Sequence, residues 1–212
     1  MKNFLMFLCL GFLLQSCVSN KGFQTARVTP VGETGWGIGM TLPSAEFFDD
    51  DGNGNIIDTT DLGGFTGEIF LRRGITEKID VGFNLSLLGT SGGDIKYQFL
   101  GDSESPLAGS IGAGVSYLSF GSDSEDASTS ILDITIPAYF SYHPSNAFSV
   151  YASPRFIYRS ANGSSSNFGI LGGIRVGGER SGLFAEYGYL RSNDDFISNV
   201  TSLNIGFGIG IR

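Results

Sequence analysis

The last ten residues, "LNIGFGIGIR", alternate without a break: Leu203, Ile205, Phe207, Ile209 and Ile211 take one parity, and Asn204, Gly206, Gly208 and Gly210 the other. A strand turns successive side chains to opposite faces, so this period of two specifies a β-strand with one apolar face. Similar runs fall at about 35–42, 63–74, 79–88, 94–100, 107–120, 130–143, 148–160, 167–178 and 183–191. Together they make about ten strands, with eight or twelve as alternatives, and no segment carries a helical period. The fold class is all-β, and residues 33–212 form one domain with no linker to divide them.

Three architectures compete for such a chain. A sandwich buries the apolar faces against each other, and a lipocalin-like barrel turns them inward around a ligand. An antiparallel up-and-down transmembrane barrel turns them outward to lipid and fills its lumen with the other face. On that other face lie Glu68, Arg72, Asp80, Asp94, Lys96, Asp133, Arg155, Arg159, Arg175 and Glu186, among Gly, Ser, Thr and Asn. Five acids and five bases suit a narrow interior closed by ion pairs. Arg72 and Asp80, on strands joined by "RGITEKI", are expected to pair across their hairpin.

The connections and the aromatics favour the membrane barrel. Alternate links, "GITEK", "GDSESP", "HPSNA" and "GERSG", are short. Those between them are generally longer and more acidic, except "GTSGG". Short turns at one end and long loops at the other are the membrane-barrel pattern. Trp36, Tyr97, Phe99, Phe140, Tyr142 and Phe148 fall toward the short-turn end. Tyr117, Phe156, Tyr158, Phe168, Tyr187 and Tyr189 fall toward the long-loop end. Two aromatic rings separated by aliphatic residues make girdles at the two interfaces, and a sandwich has no reason to sort them by height. Pro137 and Pro154 interrupt two strands, each removing a ladder donor, and imply a local irregularity.

The N-terminus reads as a targeting segment. Lys2 precedes the apolar run "FLMFLCLGFLL", which has the length of a signal-peptide core and is too short for a membrane helix. The run ends in "LLQSC", which resembles the lipobox of bacterial lipoproteins. The resemblance implies removal of residues 1–16, acylation (palmitate among the chains) at Cys17, and a lipidated tether over 17–32. Two or more chains give stable anchoring, each buried methylene contributing about 0.8 kcal/mol. Cys9 would leave with the signal, so no thiol would remain for a disulfide, metal site or nucleophile.

The segments "LRRGITEKIDVGFNLSL", "DIKYQFL" and "YASPRFIYR" resemble those of small outer-membrane β-barrel proteins of Gram-negative bacteria. That resemblance covers roughly 33–212. It implies a monomer in the cell outer membrane with its N-terminus periplasmic, in contact with outer-membrane lipid and delivered by the outer-membrane assembly machinery. Arg212 stands where such chains commonly end in an aromatic.

Little here supports catalysis. His143 is the sole histidine and lies in a predicted short turn, no serine has a "GxSxG" setting, and no helix follows the glycine runs. No enzymatic activity is expected, and no cofactor. A net charge of −8 with few clustered bases argues against nucleic acid. One motif stands apart. In "FFDDDGNGNIID", Asp49, Asp51 and Asn53, the Asn55 carbonyl, and Asp58 nearby suggest a calcium loop. Thr60 occupies position twelve in place of a bidentate Glu, and no helices flank it, so any Ca2+ affinity is expected to be weak. The expected role is structural or surface display through acidic outer loops. The alternatives are a periplasmic lipid-anchored soluble barrel binding an apolar ligand, and a small passive channel.

Overall fold

The computed structural model describes residues 22–50, 56–102, 104–120, 129–161, 163–178, 180–193 and 197–211. They form a closed antiparallel barrel without helices. Its strands are β1 (Thr34–Asp50), β2 (Ile56–Gly63), β3 (Thr66–Thr76), β4 (Ile79–Ser86), β5 (Ser91–Leu100), β6 (Leu107–Phe120), β7 (Thr129–Ser145), β8 (Phe148–Ser160), β9 (Ser164–Gly177), β10 (Ser181–Ser192) and β11 (Ile197–Ile209). Each strand from β3 to β11 pairs with its sequence neighbour, and β1 pairs along its length with β11 to close the ring.

Eleven strands make a ten-stranded wall because β2 and β3 share one edge of β1. Thr34–Thr41 pair with β3, and Ser44–Asp50 pair with β2. The long loop expected over "PSAEFFDDDGNGNIIDTTD" is therefore largely a hairpin that carries the wall beyond its neighbours. Its acidic, polar sequence hides the strand period, and β11 supplies the pairing, up to Phe47 opposite Ile197.

The apolar parity faces outward around the whole ring. Ile38, Ile69, Phe83, Ile95, Ile111, Ile134, Val150, Ile170, Leu183 and Ile205 are all exposed, as are Trp36, Phe140, Tyr158 and Tyr187 of the two aromatic groups. In water such a surface would be untenable for a monomer. In lipid it is the required one, and closure leaves no unpaired edge along the spanning wall.

The two strand prolines sit where a ladder opens on one side. The β6–β7 pairing passes from Ile111–Ala138 to Gly114–Thr135, skipping Pro137, which keeps its place opposite Arg155 on β8. The β7–β8 pairing likewise skips Pro154, which stays opposite Ile170 on β9. Each missing donor thus falls in a gap of the pairing with one neighbour while the other neighbour holds the strand.

Candidate functional site

Residues 22–30 occupy the lumen. The sequence places them within the tether expected over 17–32. Phe23, Thr25, Ala26, Val28 and Thr29 are buried by the barrel wall. The segment enters over Gly74, at the short-turn end. There Gly32 N donates to Gly74 O (3.0 Å), Gly74 N to Glu33 O (3.1 Å) and Glu33 N to Pro30 O (3.0 Å). A side chain at Gly74 would strike the carbonyls of Thr29 and Pro30, so only glycine lets the two backbones touch.

Inside, the wall holds the segment mostly by its backbone. Thr29 N donates to Asp80 Oδ2 (2.9 Å), Val28 N to Gln98 Oε1 (3.0 Å) and Ala26 N to Ser141 Oγ (3.1 Å). Lys96 Nζ donates to the carbonyls of Arg27 (2.9 Å) and Thr25 (3.1 Å), and Ser110 Oγ to that of Ala26. At the far end, Glu186 accepts from Gly22 N (3.1 Å) and Phe23 N (2.6 Å). The Phe23 ring stacks on Phe70 at 5.4 Å between centroids and meets Phe184 edge-on at 6.3 Å. Gln24 Nε2 donates to Tyr139 Oη (2.9 Å).

The Arg27 side chain ties the segment to the β5–β6 turn, donating to the carbonyls of Ser105 (2.7 Å) and Glu104 (3.0 Å). Asp102 shapes that turn. Its carboxylate accepts from Glu104 N, Ser105 N and Ser105 Oγ at 2.7–2.9 Å. Those bonds, the one from Glu104 N first, hold it below the usual carboxylate range.

The charged residues singled out in the sequence all lie on strands of the wall, in several different arrangements. Arg72 pairs with Asp80 and with Asp94, and Lys96 approaches Asp80 at 3.6 Å, making one four-residue cluster under the segment. Arg72 and Asp80 meet diagonally, because Arg72 lies opposite Gly82 and Asp80 opposite Gly74. Asp133 and Arg159 pair at 2.7 Å nearer the long-loop end. Glu186 departs from the ion-pair expectation: its carboxylate takes the segment's amides and Tyr151 Oη (2.6 Å). Arg175 donates to Gly178 O (2.7 Å) and lies over the Phe184 ring, and Arg155 donates to Ser153 Oγ (3.2 Å). Glu68 is buried in the lumen.

Beyond Gln24 lies a polar cavity of about 70 Å³, lined among others by Asn84, Asp94, Ser116, Thr135 and Arg155. Toward the long-loop end the lumen turns apolar, where Ala45, Ile157, Leu190 and Val200 pack together and Leu118 meets Ile131. The polar reading of the inner face missed these residues. Alternation tells which face a residue takes, not what that face meets.

Of the calcium motif, Asp49 and Asp58 are backbone partners across the β1–β2 hairpin. Asp51, Asn53 and Asn55 lie outside the described residues, as do Cys17 and residues 1–16. Among the described residues no cluster of His, Cys, Asp and Glu is arranged to hold a metal ion.

No family model matches the chain, and no curated protein does. Solved structures do. An outer-membrane channel from Pseudomonas putida F1 aligns over 87% of this chain and 97% of its own, at 10% identity and a TM-score of 0.52. The translocator domain of the autotransporter NalP from Neisseria meningitidis aligns over 84% of this chain and 88% of its own, at 13% identity and a TM-score of 0.42. Ail, the attachment invasion locus protein of Yersinia pestis, aligns over 84% and 99%, at 15% identity and 0.35. Closed wall, lipid-suited exterior and the likeness to the Pseudomonas putida channel agree on one conclusion: the chain has the fold of the outer-membrane β-barrels.

Proposed function

We propose that the protein is a lipid-anchored, monomeric outer-membrane barrel of structural and surface-display role, without enzymatic activity. Its lumen is closed by its own residues 22–30, and its acidic long loops face outward. The occupied lumen carries this reading: a backbone segment crosses the short-turn end, and an apolar layer narrows the other. A filled barrel of this size works through what it displays. Full-length protein in planar bilayers is expected to show no steady conductance. A small passive channel is the second reading, favoured by the polar cavity beyond Gln24. Steady ion flow through the wild-type chain would replace the first reading with the second.

The anchor rests on "LLQSC". Cys17→Ser is expected to abolish acylation and leave uncleaved or mislocalised precursor. Wild-type mass and lipid labelling in that variant would remove the anchor from the proposal. In this reading the short-turn end and the lipidated N-terminus face the periplasm, where the machinery that inserts such barrels receives them.

The motif "DDDGNGNIID" supports a weak, loop-ordering Ca2+ site, nearer the millimolar range of extracellular modules than a cytosolic sensor. Calcium titration of purified protein is expected to saturate in that range and to lose the response in Asp49→Ala/Asp51→Ala. A response unchanged in the double variant would reduce the stretch to a solvated acidic turn.

A further inference from the structure

We propose that the lumen is a peptide-binding site. Residues 22–30 are its resident occupant, and it can take in their place an extended peptide of a partner with an aromatic residue at the position of Phe23. The inference goes beyond the closed-barrel reading and does not depend on the lipid anchor.

The first argument is how the occupant is held. Its amides at Gly22, Phe23, Ala26, Val28 and Thr29 and its carbonyls at Thr25, Ala26 and Arg27 all bond side chains of the wall. Only Gln24 and Arg27 add polar side-chain contacts of their own to the wall or its turns. Recognition through the main chain is blind to sequence, as it is where a strand is added to a sheet edge. A site built this way reads the path of the chain, and asks for a small side chain where Ala26 packs on Ala108 and Tyr139.

The second argument is the pocket that encloses the occupant's one aromatic side chain. Phe23 is 2% exposed, enclosed by Phe70, Phe184, Tyr151, Leu171 and Ile211. Gly39 on β1 and Gly206 on β11 form its floor: a Cβ at either would strike the ring. Specificity therefore resides chiefly in one aromatic ring, set among positions held mostly by the backbone.

The third is the occupant's own conformation. Among the described residues Phe23 is the one non-glycine with positive φ, at 39°. A bulky residue takes the left-handed region only where its surroundings impose it. The strain makes the resident segment a held guest and lowers the barrier to exchange. Emptying the site is a different matter, because Asp80, Lys96, Gln98 and Glu186 are buried and would each lose the bonds they make to the segment. The wall favours replacement of one peptide by another over vacancy.

The test uses the full chain carrying Phe23→Ala, refolded in detergent, with a labelled synthetic peptide of residues 22–30, acetylated at its N-terminus to keep the Gly22 amide. Binding is read by fluorescence polarisation. The variant is expected to bind this peptide saturably, about tenfold or more tighter than either the wild-type chain does or the variant binds a peptide with alanine for phenylalanine. Adding Gly39→Ala to the variant is expected to abolish binding by filling the ring's floor. If Phe23→Ala does not fold, as judged by heat-modifiable gel mobility, Phe23→Leu serves in its place. No saturable binding by a folded variant, or equal binding of both peptides by every chain, would overturn the proposal.

Discussion

Replacing Asp80 with alanine is expected to destabilise the barrel by about 3–5 kcal/mol, the range for breaking a buried pair from one side. Asp80 is fully buried, accepts the Thr29 amide, pairs with Arg72 and lies 3.6 Å from Lys96. Without it, two buried cations share the lumen with Asp94, whose side chain is about one-third exposed. The variant should unfold at lower urea concentration, followed by loss of heat-modifiable mobility. The Arg72→Ala/Asp80→Ala double variant should recover part of the loss by removing one stranded cation. Recovery should be incomplete, because Lys96 keeps its carbonyl partners but loses its carboxylate, and Asp94 loses Arg72. Such neighbours do not behave additively. Equal losses from the single and double variants would mean that water screens the cluster.

Glu186→Ala is expected to loosen residues 22–30 from their Gly22–Phe23 end while leaving the wall intact. The substitution strands the amides of Gly22 and Phe23 and the hydroxyl of Tyr151, each at about 1–3 kcal/mol when buried without a partner. The strand ladders make no use of this carboxylate, so the cost falls on the segment's two amides and on the luminal side chains of Tyr151 and Asn204. Trypsin provides the readout at Arg27, which the wall and the β5–β6 turn protect in the native chain. Cleavage after Arg27 should appear in Glu186→Ala and be weaker in Glu186→Gln, which keeps one acceptor oxygen. Heat-modifiable mobility should be unchanged in both. If Arg27 stays as resistant in Glu186→Ala as in wild type, the contacts at Gly22 and Phe23 do not anchor the segment.

Much of the wall is legible in the sequence. The alternation of "LNIGFGIGIR" and its counterparts marks which side chains meet lipid, because lipid demands apolar residues at every second position. Ile211 is the exception, turning inward against Phe23 beyond the positive-φ Gly210. The same parity puts Arg72, Asp80 and Lys96 inside. Even the irregular positions leave a trace, since Pro137 and Pro154 mark where ladders open. The β1–β2 hairpin left none: its acidic residues carry no apolar period, and β11 imposes its pairing from the other end of the chain.

The luminal segment is the clearest case of what sequence leaves open. "GFQTARVTP" has no period and no secondary structure, so it reads as a polar leader. Its burial depends on wall residues 51–164 positions away, Asp80 through Glu186. Those residues surround one volume only after β1 closes on β11. A period of two is a property of a single strand and survives in the local sequence, so the all-β class and the lipid-facing side of most strands were legible there, while the exact strand number was not. What fills the lumen depends on curvature, register and closure, which bring distant strands around a common axis. Tertiary structure alone decided that the interior holds the chain's own backbone, with Glu186 and Lys96 bonded to peptide groups.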